Sequence, residues 1–135
     1  MYHFSDCQAG AAAGCVPGSN ANAGTSPSAP KQTLAGFNLN ALPAGAQVLL
    51  ARGGAWAWPT TALHNLNATP SQPLVFDAYG TGPAPLLRTA SNFAFYLGGN
   101  WGNTTNDGGY VLRNLRLDGS GSAQWACGWC RTCAT

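Results

Sequence analysis

Tyr110-Val111-Leu112-Arg113-Asn114-Leu115-Arg116-Leu117-Asp118-Gly119 alternates apolar and polar residues and breaks the alternation once. Tyr110 and Leu112 fall on one side, Leu115 and Leu117 return to it, and Asn114 stands between the two pairs. Asparagine tolerates the left-handed backbone of a sharp bend, so the stretch reads as an extended segment folded at Asn114, with Arg113, Arg116 and Asp118 outside. Short apolar runs of the same kind occupy residues 47–52, 74–79, 86–88 and 93–97. Gly53-Gly54, Tyr79-Gly80-Thr81-Gly82-Pro83, Gly98-Gly99-Asn100 and Asp107-Gly108-Gly109 separate them with turn chemistry.

Spacing adds to this reading. Val48, Leu74 and Phe93 begin apolar runs 26 and 19 residues apart, and Leu112 follows 19 later, the recurrence of a chain that winds repeatedly through the same sheets. A β-sandwich also sets short strands between turns and stays open at this point. Residues 8–30 are almost entirely Ala, Gly, Ser, Asn, Pro and Thr, the composition of a long surface loop. After Pro30, Leu34, Phe37, Ala41 and Leu42 recur at helical spacing, which predicts a short helix ended by Pro43 and Gly45.

Composition narrows the class. Of 135 residues only 7% are charged, Glu is absent, and 18 Gly and 9 Pro accompany 45% apolar residues. Coiled coils and helical bundles need Glu and Lys on their solvent faces, so both are excluded. A net charge of +2 is too thin for nucleic-acid binding driven by counterion release. No apolar run approaches the length of a transmembrane helix. A neutral-polar, turn-rich profile suits an exported all-β protein, secreted, periplasmic or at a bacterial cell surface. Met1-Tyr2-His3-Phe4 lacks the basic segment and apolar core of a secretory signal, so the expectation is a signal lying upstream of this chain. Ala12-Ala13-Gly14-Cys15 looks like a lipid-attachment site but lacks the leader such a site requires.

Several stretches, in order, resemble the opening of a right-handed parallel β-helix of the pectate-lyase-like type. They are Gly24-Thr25-Ser26-Pro27-Ser28-Ala29-Pro30, Gln32-Thr33-Leu34-Ala35, Leu42-Pro43-Ala44-Gly45, Val48-Leu49-Leu50 and Gly53-Gly54-Ala55-Trp56. Pro73-Leu74-Val75-Phe76-Asp77-Ala78-Tyr79-Gly80 and residues 110–119 continue the match, which spans about residues 24–120. The resemblance implies an all-β, right-handed parallel β-helix (solenoid) fragment in which a first strand and a short N-terminal capping helix close the open end. Leu34, Phe37 and Leu42 would form the inner face of that lid, since an uncovered parallel end exposes backbone polar groups and apolar interior. The expected division is an N-terminal strand and loop over 1–23, a capping segment over 24–46, the first coils over 47–124 and an aberrant tail over 125–135. An uncapped last coil predicts edge-to-edge self-association.

The tail carries Cys127, Cys130 and Cys133. Three close thiolates at that spacing suit zinc or an iron–sulfur cluster but lack a nearby fourth ligand, so no metal site is assigned. Back-translated with one extra base in front of Cys127, the tail spells Val-Trp-Leu-Val-Gln-Asp-Val-Arg-Asp, the residues of a further strand and turn, and it reads as a frameshift product. Cys7 and Cys15 then remain as a disulfide candidate for an oxidising compartment.

The resemblance also implies a polysaccharide, commonly acidic, cleaved by a lyase or a hydrolase on the exterior of the sheets, with calcium used by the full-length parent. Asp6, Asp77, Asp107 and Asp118 are scattered and share no short motif, a poor inventory for paired-carboxylate chemistry. Catalytic residues are therefore unassigned, no cofactor is evident in this chain, and the fragment itself is expected to be silent. The alternative is a non-catalytic surface or carbohydrate-binding module. Arg113 and Arg116 are the candidates for meeting an anionic sugar chain, and Trp101 for stacking on a sugar ring. Trp56, Trp58 and Trp125 read rather as core or cap packing. Asp77 and Asp118 read as turn residues, and His64 and Lys31 as structural or solvated. Asn67-Ala68-Thr69 and Asn103-Thr104-Thr105 match the glycosylation acceptor pattern, which matters only in a eukaryotic secretory host.

Overall fold

The computed structural model describes residues 1–91, 93–97, 108–119 and 127–128. In chain order its strands are β1 (Tyr2–Phe4), β2 (Gln47–Ala51), β3 (Ala55–Ala57), β4 (Thr61–Leu63) and β5 (Leu74–Tyr79). There follow β6 (Leu86–Arg88), β7 (Phe95–Leu97), β8 (Tyr110–Leu112), β9 (Arg116–Asp118) and β10 (Cys127–Gly128). The fold is all-β with parallel strands. One sheet has the order β1-β2-β5-β8, a second β3-β6-β9 and a third β4-β7-β10. The chain thus visits the three sheets in the same sequence on three successive circuits, an arrangement compatible with a β-helix.

Register explains the core. Tyr2 pairs with Val48, Val48 with Phe76 and Phe76 with Leu112, so one inward row of the first sheet is apolar throughout. Trp56, Leu87 and Leu117 form the equivalent row of the second sheet, and Leu63 and Leu97 lie side by side in the third. Val48, Leu50, Phe76, Leu87 and Phe95 are fully buried, each contributing about 1.5–3 kcal/mol of transfer free energy. Alternation along β2, in which Val48 and Leu50 are buried and Gln47, Leu49 and Ala51 half-buried, places successive side chains on opposite faces. The bend at Asn114 is real: it is the one non-glycine residue at positive φ among those described, at 57°.

The expected capping helix is absent. Among the described residues no α-helix forms, and the segment after Pro30 contains only a single 3-10 turn, Leu39–Ala41. The apolar spacing is helical, yet Gly36 adopts φ 70° and the Asn38 side chain accepts the Asn40 N–H, which starts the backbone afresh. Leu39 and Leu42 are buried and Leu34 and Phe37 pack against the core from this irregular chain, with Phe37 set edge-on to Tyr2 and Phe4 at 5.0 and 5.1 Å. The edge of β1 is closed by extended backbone. His3 N–H donates to Gly24 O, Lys31 N–H to His3 O, and Ser5 N–H to Lys31 O. A strand edge that would otherwise stay unpaired is satisfied this way.

Buried Asn65 fixes the 3-10 turn to the first circuit, its amide donating to the Leu39 and Leu42 carbonyls at 2.9 and 3.0 Å. In the tail, Cys127–Gly128 pairs in parallel with Phe95 and Tyr96. Cys130 and Cys133 lie outside the described residues. No helix among the described residues is long and apolar enough to cross a membrane.

Candidate functional site

The exterior of the circuits carries three groups of side chains. At the corner after β8, Arg113 and Asn114 turn back onto Asp77 of β5. Arg113 Nε donates to Asp77 Oδ2 at 2.7 Å, Asn114 Nδ2 donates to Oδ1 at 2.7 Å, and Ala78 N–H donates to the same oxygen. Burial alone would raise the Asp77 carboxyl. The hydrogen bonds from Asn114, Ala78 and Arg113, with the arginine charge, outweigh it and hold the group below its ordinary value of 3.8. Arg113 keeps 59% of its side chain exposed while Asp77 keeps 15%, so the carboxylate is the inner anchor and the guanidinium the outer rim.

On the second sheet Arg88 Nε donates to Asp118 Oδ2 at 3.0 Å, and Arg88 also reaches the Ala9 carbonyl of the N-terminal loop. Arg116 opens β9 opposite Leu86, is exposed, and has no carboxylate partner among the described residues. The two arginines chosen from the sequence therefore differ: Arg113 has its charge matched by Asp77, whereas Arg116 is available to an anion. Arg113 stands at the corner after β8 and Arg116 opens β9, on either side of the Asn114 bend. Trp101 lies outside the described residues, as does Trp125.

Trp56 and Trp58 are buried. Trp56 Nε1 donates to Gln32 O and Trp58 packs against Phe95 at 5.4 Å, so neither offers a face to a sugar. Among the described residues, Phe93 and Tyr96 lie off the core on this side, half-buried, with ring centroids 6.3 Å apart. Tyr96 pairs with Ala62 on one side and Gly128 on the other. Tyr96 is not among the residues the sequence singles out, although its alternation with Phe95 sends it outward once Phe95 is placed inward.

Cys7 and Cys15 are joined, closing a loop eight residues in separation beside Asp6. Asp6 is buried and accepts the Cys7 N–H, Gln8 Nε2 and Gln32 Nε2. His64 is exposed and hydrogen-bonded to Asn40 on both its backbone and its ring. All three described carboxylates, Asp6, Asp77 and Asp118, are thus engaged as anchors. Among the described residues no three His, Cys, Asp or Glu side chains converge.

No family model matches the chain, and no curated protein or solved structure matches it.

Proposed function

We propose that this chain is the N-terminal, capped section of a right-handed parallel β-helix belonging to an exported bacterial protein that acts on extracellular polysaccharide. The observation that supports the reading most strongly is the return of the chain to three parallel sheets in fixed order, beginning at an edge already closed by Gly24 and Lys31. The disulfide of Cys7 and Cys15 suits an oxidising compartment.

The described carboxylates are committed to Gln8, Gln32, Arg113, Asn114 and Arg88, which leaves no acid–base pair among the described residues. The role of this section is to build the scaffold and to contact the sugar chain. Lyase or glycoside hydrolase chemistry belongs to further circuits of the parent. A second reading, a non-catalytic carbohydrate-binding module, draws on the Phe93–Tyr96 pair, which lies outside the core.

The test is affinity electrophoresis through gels containing polygalacturonate, alginate or xylan, alongside reducing-end and unsaturated-uronate assays. Retardation in at least one gel with no new chain ends is the expected result. Turnover by this chain, or free migration in all three gels, contradicts the proposal.

A further inference from the structure

A concavity of about 300 Å³ lies between the N-terminal loop and the outer side of β5, where Tyr79 meets Ser19, Asn22, Ser28, Pro17 and Pro30. We propose that it is a binding site for a neutral sugar unit, with the Tyr79 ring as one wall. The choice of a sugar rests on the polysaccharide reading above; the concavity itself does not.

The walls are built in advance of any ligand. Ser19 N–H and Asn22 Nδ2 both donate to Pro30 O, which zips the limb around residues 16–22 to the limb around 27–31, and Gly18 N–H donates to Ser5 O, which ties the first limb to the chain after β1. Gly18 is where the limbs come closest: a Cβ there would stand 2.5 Å from Pro30 O and 2.6 Å from Lys31 O, so no other residue fits without parting them. Preformed walls remove the ordering cost that weakens binding by loops.

The lining carries no Lys, Arg, Asp or Glu. Lys31, next to the lining residue Pro30, turns its ammonium onto the Asn20 and Asn22 carbonyls at 2.9 and 3.0 Å. An ionic ligand therefore has no counter-charge here. A sugar ring matches what is present, with C–H faces against Tyr79 and the prolines and hydroxyl groups against Ser and Asn. The Asn22 Oδ1 acceptor and the Tyr79 hydroxyl have no hydrogen-bond partner among the described residues, and Ser19 Oγ is used only as an acceptor, from Ala21 N–H. His3 stands edge-on to Tyr79 at 5.0 Å and holds the ring in place. Burial pushes the Tyr79 phenol above its ordinary value of 10.0, so it stays a hydrogen-bond donor through neutral pH. The volume lies at the lower end of ligand pockets, about 300–1,000 Å³, which suits one or two rings.

Saturation-transfer and amide-shift NMR on the full chain, with methyl glucoside, methyl galactoside, methyl mannoside and xylobiose, tests the site. At least one sugar is expected to bind with Kd in the millimolar range, about 1–20 mM, shifting the amides of Ser19, Asn22, Ser28 and Tyr79. Tyr79→Ala should weaken it at least about tenfold and Tyr79→Phe several-fold. If Tyr79→Ala fails to fold, Ser19→Ala and the shift map decide in its place. No transfer to any of the four sugars up to about 50 mM, shifts confined to another face, or binding unaltered by the variants overturns the proposal. Retardation by polygalacturonate without neutral-sugar binding would remove this site and leave the function above standing. Neutral-sugar binding here without retention by any polysaccharide would do the reverse.

Discussion

Asp77 Oδ1 and Asn114 Nδ2 are hydrogen-bonded at 2.7 Å, joining the end of β5 to the bend of the following circuit. Asn114 holds φ 57° there, and the same carboxylate takes Arg113 through its other oxygen. One side chain thus fastens the bend that lets the chain leave the first sheet for the second.

Replacing Asp77 by Asn should cost about 1–2 kcal/mol at neutral pH, a range kept low because Arg113 is largely exposed. The folded-state carboxyl lies below its unfolded value of 3.8, so its contribution is full above that value and is lost as pH falls through the lower, folded one. Thermal melts of both proteins across pH 7 to 2 check this: the Tm gap should be widest at neutral pH and close in acid.

Asn114→Ala should destabilise by about 1–2 kcal/mol, through the left-handed backbone and the lost bond to Asp77. Asn114→Gly keeps the backbone permissive and should cost less. Urea unfolding of the pair separates strain from hydrogen bonding, and equal losses would show that strain is not part of the cost.

Much of this was legible in the sequence, and the parts that were not have identifiable reasons. Strands 74–79 and 86–88 were read with the bounds found, because alternation and flanking Gly and Pro are local signals. Ala55–Ala57 and Thr61–Leu63 were not read as strands at all. They are three residues long, and only their ladders with Leu86–Arg88 and Phe95–Leu97 make them strands. The spacing of Val48, Leu74, Phe93 and Leu112 crosses two sheets and slips in register: Val48 and Leu112 both pair with Phe76, two residues past Leu74, whereas Phe93 leads into β7 of the third sheet. The helix expectation failed at Gly36, where a helical apolar pattern meets a backbone that leaves the helical region. At the candidate site, the sequence picked out Arg113 and Arg116 but held no sign that Asp77, 36 residues earlier than Arg113, would neutralise one of them.

Breaking the Cys7–Cys15 bond by Cys15→Ser should cost about 2–3 kcal/mol, the loop-closure contribution for so short a loop. Mass spectrometry of the alkylated, unreduced protein should leave Cys7 and Cys15 unmodified. Alkylation of both would contradict the bond.

Phe76→Ala should lose about 3–5 kcal/mol, since Phe76 is fully buried and packs against Phe95 at 5.2 Å. Tyr96→Ala, outside the core, should change stability by less than about 1 kcal/mol while reducing retardation in the polysaccharide gels. A loss of stability at Tyr96 as large as that at Phe76 would return the ring to a structural role.

The central claim is that successive circuits stack as parallel, in-register strands. Inter-strand amide–Hα NOEs in solution test it most directly, at Leu49–Asp77 in the first sheet, Leu87–Leu117 in the second and Ala62–Tyr96 in the third. In-register parallel stacking gives the evenly spaced parallel pattern at all three. Close Hα–Hα pairs of antiparallel strands, or a register other than these pairs, would contradict it.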